Sequence, residues 1–393
     1  MQRSMWPLYA AGFTTAFGAH GIAANLGGFS DDMVSSLLVL GALLALYDGA
    51  EVVLKPVFGA LSDRIGARPV LLGGLIAFAA ASSLYVIADT QAMLWAARLG
   101  QGAAASAFSP SASALVALIN PAAKRGRAFG SYGFYKSIGY TLGPLLGGVL
   151  VWLGGLRLLF LVMALCGALV ALWAWREVPD VKPKASKRQT LADLARRLSD
   201  RAFLAPTAAL AAATAALSAG VGFLPVSGAA AGLGTIATGA AVSVLAATAA
   251  VVQPRTGRLM DEGRLTVRFG LLTGLFITAG GLAFAMVPGL TGILIAAALI
   301  GAGTGMVTPL GFAALAASTP EERMGQTMGS AELGRELGDA GGPLLVAGVA
   351  AASALVWGWA ALAVIVGLGA LIASLGGRRA PAQSVADRPE TAR

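Results

Sequence analysis

The sequence predicts an all-α membrane protein: twelve transmembrane helices in two pseudo-symmetric six-helix bundles. Three observations carry that expectation. Of 393 residues, 57% are hydrophobic and only 12% charged, against about 25% charged in a soluble chain. The apolar residues gather in long, nearly uncharged segments of spanning length. The two halves of the chain also repeat one another. A transmembrane β-barrel is excluded, because its strands would alternate polar and apolar over about 10 residues and this chain does not.

The segments fall at 6–28, 33–58, 69–88, 92–118, 127–152, 156–175, 203–226, 233–256, 266–287, 291–317, 326–351 and 354–376. The first could imitate a secretion signal, with Arg3 ahead of an apolar run. Its length, and the presence of His20 and Asn25, favour a retained span. With the amino terminus in the cytoplasm, twenty-three basic residues outside the spans fall on the inner side and only Arg157 on the outer. The positive-inside rule then puts both termini in the cytoplasm of a multi-pass protein of the cell (inner) membrane. The net charge of +9 is explained by those basic loops beside anionic headgroups, so nucleic acid is not an expected partner. The expected domains are a first bundle at 1–176, a cytoplasmic linker at 177–202, a second bundle at 203–376 and a disordered tail at 377–393. Leu191, Leu194 and Leu198 in the linker have the spacing of a short surface helix.

The fourth and fifth segments have counterparts in the tenth and eleventh. An offset of 199 pairs Gly102 with Gly301, Pro110 with Pro309, Gly126 with Gly325, Gly130 with Gly329, Lys136 with Arg335, Gly139 with Gly338, and Gly143-Pro144 with Gly342-Pro343. One register earlier, Gly59 to Asp63 matches Gly257 to Asp261. Two parallel repeats with a site between them is the plan of an alternating-access transporter.

Between the second and third spans stands Gly59-Ala-Leu-Ser-Asp63-Arg64-Ile-Gly66-Ala-Arg68-Pro69. Its glycines suit a tight turn, Asp63 can cap a helix start and its arginines face headgroups. In the fourth span Arg98 is followed by Gln101-Gly102, and in the fifth Gly130, Gly139, Gly143-Pro144 and Gly147-Gly148 stand at fixed intervals. Together these elements resemble the signatures of the major facilitator superfamily, and the last resembles that of its drug:proton antiporter branch. The resemblance implies the twelve-span fold of that superfamily, proton coupling through Arg98 and conformational roles for the glycine motifs. It also implies that helices 2 and 11, and likewise 5 and 8, meet across the two halves.

Nine charges lie within spans: Asp48, Glu51 and Lys55 in the second, Arg98 in the fourth, Lys136 in the fifth, and Glu332, Arg335, Glu336 and Asp339 in the eleventh. Steps of three and four residues align each group on one helix face. A charge at mid-bilayer costs at least about 2.5–3.5 kcal/mol, so a paired network is expected, with the resemblance setting the two stripes opposite each other. The expectation is a gate network of Asp48, Glu51, Lys55, Lys136, Glu332, Arg335, Glu336 and Asp339. Five acids against four bases leave one acid over, and Asp48, Glu51 and Asp339 are the candidate proton carriers beside Arg98. His20, Asn25, Tyr47, Gln101, Tyr132 and Tyr140 are candidate cavity residues; Tyr135, Phe108 and Phe134 could add aromatic walls.

The expected function is proton-coupled efflux of a small amphipathic compound or drug; the alternative is a metabolite or ion carrier of the same fold. A non-transporting sensor is a remote third. An enzyme is not expected, because one cysteine, one histidine and the lack of a G-x-S-x-G motif leave no nucleophile with a base. No cofactor or metal is expected. The expected partners are the small-molecule substrate, protons and the bilayer, with the chain acting as a monomer.

Overall fold

The structure, a computed structural model, describes residues 2–23, 37–183 and 200–375. Every regular element among them is helical. In chain order these are α1 (Gln2–Ala23), α2 (Leu37–Ile65), α3 (Ala67–Val86) and α4 (Gln91–Leu118), then one helical run from Arg125 to Glu177. That run breaks at Gly154 (φ −157°, ψ 22°) and Gly155 (φ 71°, ψ −176°), which divides it into α5 (125–153) and α6 (156–177). Gly155 sits in the left-handed region that glycine occupies without penalty. After it come α7 (Arg201–Ala230), α8 (Thr235–Asp261), α9 (Val267–Phe284), α10 (Leu290–Ala317), α11 (Met324–Ala352) and α12 (Leu355–Leu375). Among the described residues, eight helical runs are long and apolar enough to cross a membrane, and one of them is the folded pair α5–α6. Most of the expected linker and all of the expected tail after 377 lie outside the described residues.

Helix starts follow local chemistry. Thr90 accepts a bond from the Met93 amide, Asp200 from Ala202 and Thr266 from Phe269, capping α4, α7 and α9. The expected loop between spans 2 and 3 is shorter than the sequence suggests. Helix α2 runs on to Ile65 and α3 begins at Ala67, so the whole turn is Gly66, held at φ 100°. Prolines stand inside α2, α4, α5, α8, α10 and α11, at positions 56, 110, 144, 254, 309 and 343, where each removes one backbone donor.

The first six helices pack mainly on each other, and so do the last six. Across the two groups α2 packs on α11 and α5 on α8. The glycines of α5 are shared between two partners. A Cβ on Gly139 would lie 2.5 Å from the Phe13 carbonyl oxygen and 2.9 Å from the Ala16 Cβ, and one on Gly143 3.1 Å from the Gly21 nitrogen, so both serve the contact with α1. Gly130 faces α8 instead, 2.6 Å from the Gln253 carbonyl oxygen by the same construction. Gly147 is buried and Gly148 has open space around it. Gly139→Val is therefore expected to lower stability by about 1–3 kcal/mol, because backbone and not a mobile side chain stands in the way. Gly148→Ala should leave the thermal melting of the detergent-purified protein unchanged.

Candidate functional site

Four layers lie along α2 and α11, beginning at the end that carries Gly66. At that end Asp63 accepts hydrogen bonds from the Gly325 and Gln326 amides, at 2.6 and 2.8 Å. Helix α11 has no capping side chain of its own, and neither has α5. The start of α5 is met in the same way by Asp261, which accepts from Gly126 and Arg127 at 2.9 and 2.8 Å. The helix start that Asp63 meets is not its neighbour in sequence: it lies 262 residues away and on the other half. A carboxylate there satisfies orphan donors and opposes the positive helix end. Arg68 donates to the Trp175 carbonyl and Arg64 is exposed.

The second layer is backbone against backbone. A Cβ on Gly59 would lie 2.5 Å from the Gly325 carbonyl oxygen, and one on Gly329 2.6 Å from that of Lys55. On the other seam Gly126 stands in the same relation to Gly257, at 2.5 Å. Any side chain at these positions would push the halves apart at this end.

The third layer is the charge network. Lys55, 1% exposed, places its Nζ 2.6 Å from Glu336, 3.2 Å from Glu51 and 3.9 Å from Glu332. Glu332, also 1% exposed, draws Lys136 to 3.7 Å and Arg335 to 3.3 Å. Arg335 reaches Glu336 at 3.3 Å and donates to the Tyr140 hydroxyl at 3.1 Å. Ser113 on α4 donates to Glu332, and Lys136 donates to Ser109. Three acids and three bases from α2, α5 and α11 thus close on each other.

The fourth layer, beyond the network, is a cavity of about 250 Å³ among α1, α2, α4, α5 and α11. His20, Tyr47, Asp48, Arg98, Tyr140 and Asp339 line it, with Glu51, Lys55 and Glu336 at its floor. His20 and Tyr140 stack edge to face at 4.4 Å. Asp48 and Asp339 are corrections to the expected network: both are ionisable, both reach the cavity, and neither makes an ion pair among the described residues. The base that could have met them is engaged elsewhere. Arg98 donates from Nε to the Leu43 carbonyl at 3.2 Å and lays its guanidinium 4.4 Å from the centre of the Tyr47 ring. Two acids, not one, are left outside the ion pairs.

The other cavity candidates separate. His20, Tyr47 and Tyr140 line the cavity, whereas Gln101 turns to Ser82 on α3 at 3.1 Å and Tyr132 is buried against Gly12. Of the aromatic candidates, Phe108 packs on Phe78 and Tyr135 stacks on Tyr9 and meets Phe134 and Trp6, all away from the cavity lining. Asn25 lies outside the described residues. Ser109, Ser113 and Thr15 also belong to the site without any signal in the sequence, because single hydroxyls in an apolar helix carry no pattern.

Comparisons with known proteins agree with this architecture. The family model described as Major Facilitator Superfamily matches residues 8–343. A methylenomycin A resistance protein of Bacillus subtilis is 37% identical over 137 residues, 35% of this chain and 29% of its own length. A class H tetracycline resistance protein of Pasteurella multocida is 37% identical over 110 residues, 28% of this chain and 27% of its own. The matched stretch thus spans less than a third of either relative. The crystal structure of the human organic anion transporter MFSD10 (TETRAN) superposes with a TM-score of 0.82, over 95% of this chain and 99% of that one. At 18% identity that likeness is one of fold.

Removing one member of the network strands its partners in a medium that does not solvate them. Lys55→Gln is expected to cost about 3–5 kcal/mol. The pair Lys55→Gln with Glu336→Gln should recover much of that loss, as a double-mutant cycle of melting temperatures will read. Additive losses would mean that the two charges are not held against each other.

Proposed function

This chain belongs to the Major Facilitator Superfamily, and on that footing we propose that it is a secondary active transporter that exports a small amphipathic compound in exchange for protons. It works by alternating access across the cell (inner) membrane, its two halves, 1–176 and 203–376, rocking about the cavity between them. All twelve helices span, both termini are cytoplasmic and the Gly66 end faces the cytoplasm, as the sorting of basic residues supports. The single observation that carries the reading is the cavity itself. Carboxylates with no ion pair among the described residues stand in its wall, and a closed charge network forms its floor, where one seam between the halves runs.

The geometry supports an order of steps. A proton entering the cavity meets Asp48 or Asp339 first. Glu51 is one turn further in and 3.2 Å from Lys55, so a proton on Glu51 removes one of the three acids that hold that lysine. Asp48 or Glu51 is the carrier in this reading, with Asp339 in reserve and Arg98 setting the local charge. Tyr47, Tyr140 and His20 give an apolar and aromatic flank to the substrate. The resistance proteins to which the chain is similar support export of a drug-like compound as the direction of work.

The second reading, a carrier of an anionic metabolite, is favoured by one observation. Arg98 stands in the cavity wall with its Nη1 buried and without a hydrogen-bond partner among the described residues. A non-transporting sensor has no such observation behind it.

The test begins with a susceptibility panel of dyes and antibiotics in a strain stripped of its own exporters, which supplies a transported probe. Proteoliposomes then compare Asp48→Asn, Glu51→Gln and Asp339→Asn under an imposed pH gradient. Loss of gradient-driven flux, with probe binding retained, is expected in the Asp48 or the Glu51 variant. Retained flux in all three ends the proton-carrier assignment. Inhibition by anionic probes alone would favour the second reading.

A further inference from the structure

The two seams that join the halves follow one plan and are filled differently. An offset of 198 carries α2 onto α8 and one of 199 carries α5 onto α11. Asp63 then falls on Asp261, Gly59 on Gly257, and Lys55 on Gln253; Gly126 falls on Gly325, Gly130 on Gly329, Gly133 on Glu332, and Ser137 on Glu336. The contacts obey the same mapping. Each aspartate caps the opposing helix, each glycine pair meets backbone to backbone, and where Lys55 meets Glu336 at 2.6 Å, Gln253 Nε2 donates to Ser137 Oγ at 2.8 Å. Where Glu332 approaches Lys55, the second seam has Gly133, and a Cβ there would collide with Gln253 Oε1. The glycine leaves the room that the carboxamide fills. Gln253 is 4% exposed, and its Oε1 has no hydrogen-bond partner among the described residues. Glu51 is replaced in this register by Ala249.

We propose that Gln253 and Ser137 are positioning residues that form a charge-free counterpart of the Lys55–Glu336 pair. They hold the Gly66 end shut with a strength that protonation does not change, so only the α2–α11 seam is released by a change of charge. The proposal rests on the alternating-access reading. The groups facing the switched seam are Glu51 and Lys55 on α2, Glu332, Arg335 and Glu336 on α11, and Lys136 on α5, with Ser109 and Ser113 on α4. The second seam is ringed by charges that are engaged or face outward. Arg255 and Arg258 on α8 are exposed, Arg255 donating to the Val251 carbonyl. On α5, Arg127 is exposed, Arg125 donates to the Ala117 and Ala316 carbonyls, and Lys136 turns to Ser109 and Glu332. Asp261 caps α5, α10 has no ionisable side chain, and α7 has only Arg201 at its exposed start.

The test uses the full chain in lipid nanodiscs, in a Cys166→Ser background, with spin-label pairs across each seam. Lys124→Cys with Glu262→Cys reports α5–α8, and Ile65→Cys with Glu322→Cys, in the turn that leads into α11, reports α2–α11. Gln253→Leu is expected to raise the population open at this end about fivefold, the worth of one neutral hydrogen bond, by the same factor at every pH from about 5 to 8. The pH slope should stay as in the unsubstituted protein, whereas Glu336→Gln should flatten it. Ser137→Ala removes the same bond with a smaller change and stands in if Gln253→Leu does not fold. Grafting the pair, Gln253→Lys with Ser137→Glu, should make the α5–α8 distances pH-dependent. An altered pH slope in Gln253→Leu or Ser137→Ala, or an unchanged open population in both, overturns the proposal. An unaltered slope in Glu336→Gln overturns this inference alone, whereas a single distance at both seams under all conditions overturns the alternating-access reading and this inference with it.

Discussion

Lys55 is the point on which the rest of the site depends. Its ammonium is buried between α2 and α11 with three carboxylates within 4 Å, in a setting where an unpaired charge costs several kcal/mol. The lysine can be satisfied there only if α11 brings Glu332 and Glu336 close. That approach requires Gly59, Gly325 and Gly329, whose hydrogens leave the two backbones nearly in contact. The glycines in turn are held together by Asp63, which supplies the cap that α11 lacks. Seal, glycine contact and ion network are thus one construction along some 15 Å of helix.

The same construction, with the charge taken out, stands on the other side of the molecule. Asp261, Gly257 and Gly126 repeat the seal and the contact, and only the third layer differs. The difference matters because the two layers answer to different things. A cap and a backbone contact hold at any pH at which the aspartate is ionised, and a neutral amide holds at every pH. An ion network changes its strength with each proton that enters or leaves. Under the proposed reading, duplication made a symmetric gate and substitution at four places made one edge of it responsive.

The fold and the charged stripes were legible from the sequence because both are periodic. Apolar runs of spanning length, the basic loops and the 199-residue offset need no tertiary knowledge. Asp48, Glu51 and Lys55 announce a common face by their spacing alone. What spacing does not carry is the partner. Asp63 caps a helix that begins 262 residues later, and nothing in its own neighbourhood says so. Asp48 and Asp339 stay out of the ion pairs because Arg98 turns to the Leu43 carbonyl and the Tyr47 ring, a choice made by packing. Gln101 and Tyr132 are as polar as Tyr140, yet they face neighbouring helices. Gln253 was visible only as the residue that the second register places on Lys55.

The cavity and the network share a helix turn, and that sharing constrains any mechanism built on them. Asp48 and Glu51 are three residues apart on α2, about 4.5 Å along its axis, and Glu51 already touches Lys55. A ligand or proton that alters the charge at the cavity wall therefore alters the field at the floor, with no intervening element to relay it. Coupling of this kind is reciprocal: whatever loosens the α2–α11 seam must change the affinity of the cavity by the same free energy. Since Glu336 lines the cavity and also makes the shortest bond to Lys55, separation of the seam dismantles part of the binding wall. Under the proposed alternating-access reading, the site that opens toward the other side of the membrane is chemically different from the one that closed, and that difference is what would let a carrier release what it has bound.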